Sequence, residues 1–153
     1  MHSRIFQVSL EPIDEWDYIT ESYYWDHWFT REIADYVDDA TNRDDDIKWL
    51  MECCDGFTFN KDDKGEYFIV EDKEVYFKKN FERFMQTIDK IKDYTLEDFS
   101  KGFFEMWELK DAYEDKFGFY VDADGEVMNF DSFVRGCAKD AKYYIGGTLD
   151  YHW

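Results

Sequence analysis

Apolar and polar positions change period several times along this chain, and each change marks an element. Ile5, Val8 and Leu10 fall in a short run over residues 5–10 that stops at Glu11-Pro12 and predicts a strand. Trp25, Trp28, Phe29, Ile33, Tyr36 and Val37 recur at three- and four-residue spacing, which predicts a helix over residues 17–41 with a break near Thr30. Asp44-Asp45-Asp46 stands before Ile47, Trp49, Leu50 and Met51, as acids do at a helix start, and Gly56 is placed to stop that helix. Two aromatic, β-branched runs over residues 57–70 enclose the turn Asp62-Asp63-Lys64-Gly65 and predict a hairpin. Residues 74–77 extend this region as a third strand.

The second half repeats the alternation. Phe81, Phe84, Met85, Ile88 and Ile91 predict an amphipathic helix over residues 79–93. Thr95-Leu96-Glu97-Asp98 reads as a capping box opening a helix to about residue 116. Leu96, Phe99, Phe103, Met106, Tyr113 and Phe117 mark one face of it, and Glu97, Glu105, Glu108, Asp111 and Asp115 form an acidic ridge on the other. Residues 119–130 predict a second hairpin about the turn Asp122-Ala123-Asp124-Gly125. A last helix runs from Asp131 or Ser132 to about residue 144, Gly146-Gly147 stops it, and residues 149–153 follow as a short tail. The fold class is α+β. One domain spanning residues 1–153 is expected, with two β-hairpins and an N-terminal strand packed against four or five helices.

Charge alters this picture most. The chain holds 37 acids against 18 bases, net −19 in 153 residues. A small domain needs a net charge of only about 2–8 in magnitude for solubility. The excess is uneven: residues 1–46 carry 13 acids and 3 bases, residues 93–131 carry 12 and 3, and residues 78–92 between them carry 2 and 5. The basic segment, with Lys78, Lys79, Arg83, Lys90 and Lys92, is expected to pair internally with the two acidic blocks. Aromatics at 22% exclude a disordered acidic tail. Such a field repels phosphate, so neither nucleic acid nor an anionic membrane is an expected partner. No leader and no apolar run near the roughly 20 residues of a membrane span is visible. Three cysteines, two adjacent, fit a reducing bacterial cytoplasm.

Motifs for chemistry are sparse. Asp122-Ala123-Asp124-Gly125-Glu126 opens like a calcium loop, but glycine stands at its fourth position rather than its sixth, so a hairpin turn is expected. His27 has no partner set in sequence for metal or base catalysis. Cys53 and Cys54, beside Asp55, read as small buried hydrophobes rather than nucleophiles. No His-Glu-x-x-His, Cys-x-x-Cys, Gly-x-Ser-x-Gly or phosphate-binding glycine loop occurs, and no enzyme activity, metal or cofactor is expected.

What remains is a binding protein whose acidic surface imitates the charge of nucleic acid and holds a basic partner, a nuclease or another nucleic-acid-binding protein. The residues expected to carry it are Asp35, Asp38, Asp39, Asp44, Asp45 and Asp46 in the first block, and Glu97, Glu105, Glu108, Asp111, Glu114 and Asp115 in the second. In size, charge density and acid–aromatic interleaving, as in Asp14-Glu15-Trp16-Asp17-Tyr18 and Tyr23-Tyr24-Trp25-Asp26, the chain resembles the small acidic decoys of phages and mobile elements, the anti-restriction and anti-CRISPR proteins. That resemblance implies inhibition of a host defence nuclease at its DNA or guide-pairing site. An immunity protein that neutralises one cognate toxin is the alternative. A twofold homodimer is compatible with either reading.

Overall fold

The computed structural model describes residues 1–153. Seven strands form one mixed sheet: β1 (His2–Ser9), β2 (Tyr36–Asp38), β3 (Phe57–Asp62), β4 (Gly65–Val70), β5 (Tyr120–Ala123), β6 (Glu126–Asn129) and β7 (Tyr143–His152). The helices are α1 (Phe29–Glu32), α2 (Arg43–Cys53), α3 (Lys73–Ile91), α4 (Leu96–Lys101), α5 (Glu105–Tyr113) and α6 (Phe130–Gly136), with single 3-10 turns at Glu15–Asp17 and Glu21–Tyr24. The strand order is β3-β4-β7-β1-β5-β6, with β2 added to β7 beyond β4. Only β1 and β5 pair in parallel; every other pairing is antiparallel.

This overturns the expected plan of an N-terminal strand and two hairpins. The hairpins β3–β4 and β5–β6 exist, but as the two flanks of a sheet whose centre is β7, a strand expected as helix and tail. Residues 143–149 of β7 are buried without a gap, because elements cover both faces of the sheet there. Gly146-Gly147 is a bulge, not a helix stop. Phe6 pairs with Thr148 and Val8 with Ile145, so two steps along β1 match three along β7. The extra residue flips the strand's faces. Tyr143 and Ile145 pack into one core with Phe6, Val8, Ile47, Leu50, Phe68, Val121, Phe130 and Val134. Leu149 and Tyr151, also odd-numbered, pack into a second core with Ile5, Tyr24, Phe29, Ala34 and Tyr120 on the opposite face. The Gln7 side chain plugs the bulge: Oε1 accepts from Gly147 N at 3.0 Å and Ile19 N at 3.1 Å, and Nε2 donates to Asp17 O at 2.9 Å. A Cβ at Gly146 would stand 2.5 Å from that oxygen, which leaves room for glycine alone.

Three further differences have local causes. Residues 17–41 form no long helix; the chain makes two 3-10 turns and α1, then β2 docks on β7 with Val37 opposite Tyr151. Thr30 Oγ1 donates to the carbonyls of Tyr24 and His27, fastening the turns to one another. Residues 74–77 are helical, because the Asp72 side chain accepts from Glu74 N and Val75 N and starts α3 there. The expected helix over 95–116 divides at Gly102, whose φ of +74° favours glycine; the Thr95–Asp98 capping box does open α4.

Candidate functional site

The first acidic block lies on the segment that wraps the β2 edge. Asp38 ends β2, Asp39 follows it, and the turn at Glu21–Tyr24 packs on that strand. Carboxylate oxygens of Glu21, Asp38 and Asp39 all lie within 4.8 Å of one another, and none of the three makes an ion pair. Glu21 joins this cluster from a distance of seventeen residues, so no spacing rule points to it in the sequence. Three oxygen donors resemble part of a hard-cation site, but calcium takes six to eight oxygens. Asp35 sits at the other end of β2, where its carboxylate meets His152 Nδ1 at 3.1 Å.

Asp44 and Asp45 continue this edge at the start of α2. Asn42 caps the helix, accepting from Asp44 N at 3.1 Å and Asp45 N at 3.3 Å, which turns both acids outward over the positive end of the helix. Both are exposed; Arg43 lies 3.9 Å from Asp44, and Asp45 makes no ion pair. Asp46 is different. It is buried, accepts from Arg4 Nε at 2.5 Å, Thr41 Oγ1 at 2.6 Å and Thr148 Oγ1 at 2.8 Å, and ties β1, β7 and α2 together. It has no free oxygen to offer a partner.

The second block does not form one ridge. Gly102 separates Glu97 on α4 from Glu105, Glu108 and Asp111 on α5, and α5 packs along the basic helix α3. Glu97 pairs with Lys101, Glu108 with Lys90 at 3.0 Å, and Glu114 with Arg135 at 3.5 Å. The Glu105 carboxylate beside the Tyr94 hydroxyl raises that phenol's pKa above its ordinary value. Asp111 and Asp115 instead line a cleft of about 540 Å³ between α3, α5 and the end of the sheet, with Trp49, Arg83, Asp131 and Trp153. The expected pairing of the basic segment with the acidic blocks is met at Lys90, which pairs with Glu108, whereas Lys79 pairs with Asp55 and Lys92 with Asp89, both outside those blocks.

Five of the six tryptophans are exposed: Trp16, Trp25, Trp28, Trp49 and Trp107. The aromatic surplus of the chain therefore lies on its surface. Side chains of this kind beside carboxylates suit protein contact, where Trp and Tyr serve as anchors.

The remaining candidates resolve into structural roles. His27 Nδ1 accepts from Phe29 N at 3.2 Å, and its ring packs among Tyr23, Tyr24 and Trp28. The Asp124-Gly125 turn has positive φ at both residues and joins β5 to β6, and Asp122 accepts from Gly125 N at 3.0 Å. Cys54 and Cys137 are buried, which pushes both thiols up, Cys137 to about 11. Cys53, expected inside, is exposed; partial burial raises its thiol as well, so none of the three is an activated thiolate. No family model matches the chain, and no curated protein or solved structure is detectably similar to it.

Proposed function

We propose that this protein binds a basic nucleic-acid-binding protein or nuclease, a bacterial defence nuclease foremost, and occupies its nucleic-acid groove with the acidic edge around β2 and the start of α2. One observation carries the reading. Glu21, Asp38 and Asp39 crowd their carboxylates together with no ion pair to any of them, and Asp44 and Asp45 follow on the next element, where the one ion pair is that of Arg43 with Asp44 at 3.9 Å. Like charges held this close cost stability, and a partner's arginines or lysines would relieve that cost on binding. Duplex DNA offers about one negative charge per 1.7 Å of axis, and a groove built for it is a receptor for such an edge. The second block supports the reading less, since three of its six candidate acids, Glu97, Glu108 and Glu114, already face bases of α4, α3 and α6.

The test is competition. Purified protein added to a defence nuclease and labelled duplex DNA should displace the DNA, and affinity should fall roughly tenfold or more as salt rises from about 0.05 to 0.5 M. The triple variant Glu21→Gln, Asp38→Asn, Asp39→Asn should lose most of the competition while Glu97→Gln, Glu108→Gln keeps it. Competition that ignores both salt and the triple variant would overturn the proposal.

A further inference from the structure

The charge of this chain is segregated by structure more sharply than by sequence. Residues 73–113, which hold α3, α4 and α5, carry nine acids and eight bases, net −1. The other 112 residues carry 28 acids and ten bases, net −18. The near-neutral part is a helical arm. It is fixed to the body at both ends: at the first turn of α3 Lys73 Nζ donates to Arg135 O at 2.7 Å, Tyr76 O–H donates to Asp131 at 2.8 Å and the Phe77 ring lies under the Arg135 guanidinium, and at the end of α5 Arg135 Nη2 donates to Tyr113 O. Beyond that turn α3 packs chiefly on α5.

The arm leaves its largest apolar side chains in water. Leu96, Phe99, Phe104, Trp107 and Phe81 are 83, 72, 71, 64 and 62% exposed, and α4 buries none of its six residues. At about 200 Å² for a fully exposed large side chain, these five offer about 700 Å². That total approaches the roughly 800 Å² each partner contributes to a stable interface.

We infer that this surface is covered by a second copy of the same chain, arm against arm. Charge chooses the occupant. A basic partner gains nothing from a face of net −1 when a body of net −18 is available to it. A second copy meets no repulsion at the arm, and Lys101, Lys110, Glu97 and Glu105 around the apolar residues supply both signs. The arm also separates the bodies. α3 alone, at 19 residues, is about 28 Å long, against a screening length of about 8 Å at physiological salt. The dimer leaves the acidic edge at β2 free, so its existence does not depend on the proposed function.

Sedimentation velocity from about 1 to 100 µM tests it. The expected result is a monomer–dimer equilibrium that holds or tightens as salt rises, the opposite of the response expected for groove binding. The double variant Leu96→Glu, Phe99→Glu should sediment as a monomer throughout with an unchanged far-UV spectrum, since neither side chain is packed. Asp44→Lys, Asp45→Lys should still dimerise. A wild-type protein that stays monomeric at 100 µM, or a double variant that dimerises like wild type, overturns the inference.

Discussion

Arg4 Nε on β1 lies 2.5 Å from the Asp46 carboxylate on α2, and this buried ion pair also reaches Asp150 on β7 through the second arm of the guanidinium. The third acid of the Asp44-Asp45-Asp46 run is thus an internal clamp while its two neighbours face solvent. Removing Asp46 leaves Arg4 with Asp150 alone and strands the Thr41 and Thr148 hydroxyls, at a cost of about 3 kcal/mol. Asp46→Ala should lose about that much in urea unfolding, whereas Asp45→Ala should stay within about 0.5 kcal/mol of wild type. Equal effects from the two substitutions would refute the assignment of separate roles.

Burial of one aspartate among three was not legible in the run itself. Three adjacent acids at a helix start read as a dipole-facing cluster, and only the docking of α2 onto β1 and β7 decides which turns inward. The same limit explains β7. Tyr143, Tyr144 and Ile145 sit before two glycines, and glycine after an apolar run signals a helix end as well as it signals a bulge; the partner strand β1, far away in sequence, decides. Local chemistry read correctly where it was self-contained: the Asp124-Gly125 turn, the Thr95–Asp98 box and the β3–β4 hairpin each close within a few residues. The Glu21–Asp38–Asp39 cluster was invisible for the reason β7 was, since its members meet only through the sheet.

Glu66 on β4 accepts from Lys61 Nζ at 2.6 Å and from Arg43 Nη2 at 3.0 Å, joining the hairpin to the start of α2. The Lys61 hydrogen bond above all, then that of Arg43, lowers its pKa from 4.5 to about 2. A depressed carboxylate adds stability above its unfolded pKa and loses it as pH falls through the folded one. Glu66→Gln should therefore cost stability at neutral pH, about 1 kcal/mol once solvent screening of this half-exposed pair is counted. The difference from wild type should vanish between pH 4.5 and about 2 in acid unfolding monitored by tryptophan fluorescence. A constant difference across that window would show that the ion pair is not its source.

Asp131 has the opposite sign. It sits buried at the start of α6, accepts from the Tyr76 hydroxyl at 2.8 Å and makes no ion pair, and burial raises its pKa above 3.8. A raised carboxylate favours folding below its unfolded pKa and forfeits that contribution as pH rises through the folded value. Asp131→Asn keeps an acceptor for Tyr76 and removes the buried charge. Its Tm relative to wild type should rise from pH 4 to pH 7; a relative Tm that falls over that range would mean that the charge at 131 supports α6 more than its burial costs.

Two glycines with similar positive φ should respond differently to alanine. Gly56 has φ +79°, its carbonyl accepts from Glu71 N and Asp72 N at 3.0 Å each, and a Cβ there would lie 2.3 Å from Asp72 O. Since Asp72 caps α3, a methyl group at 56 strains the backbone and pushes apart the junction that sets the arm on the body. Gly56→Ala should lose more than about 2 kcal/mol of global stability. Gly102, at φ +74° between α4 and α5, has nothing within 4 Å of where its Cβ would be, so Gly102→Ala bears only the backbone strain of about 1–3 kcal/mol. That strain falls on elements with almost no buried residues, so α4 should loosen before the sheet does. Hydrogen exchange should speed up over residues 96–109 in Gly102→Ala with β1 and β7 unchanged, and across the whole sheet in Gly56→Ala. Faster exchange in β7 of the Gly102 variant would show that the arm and body unfold as one unit.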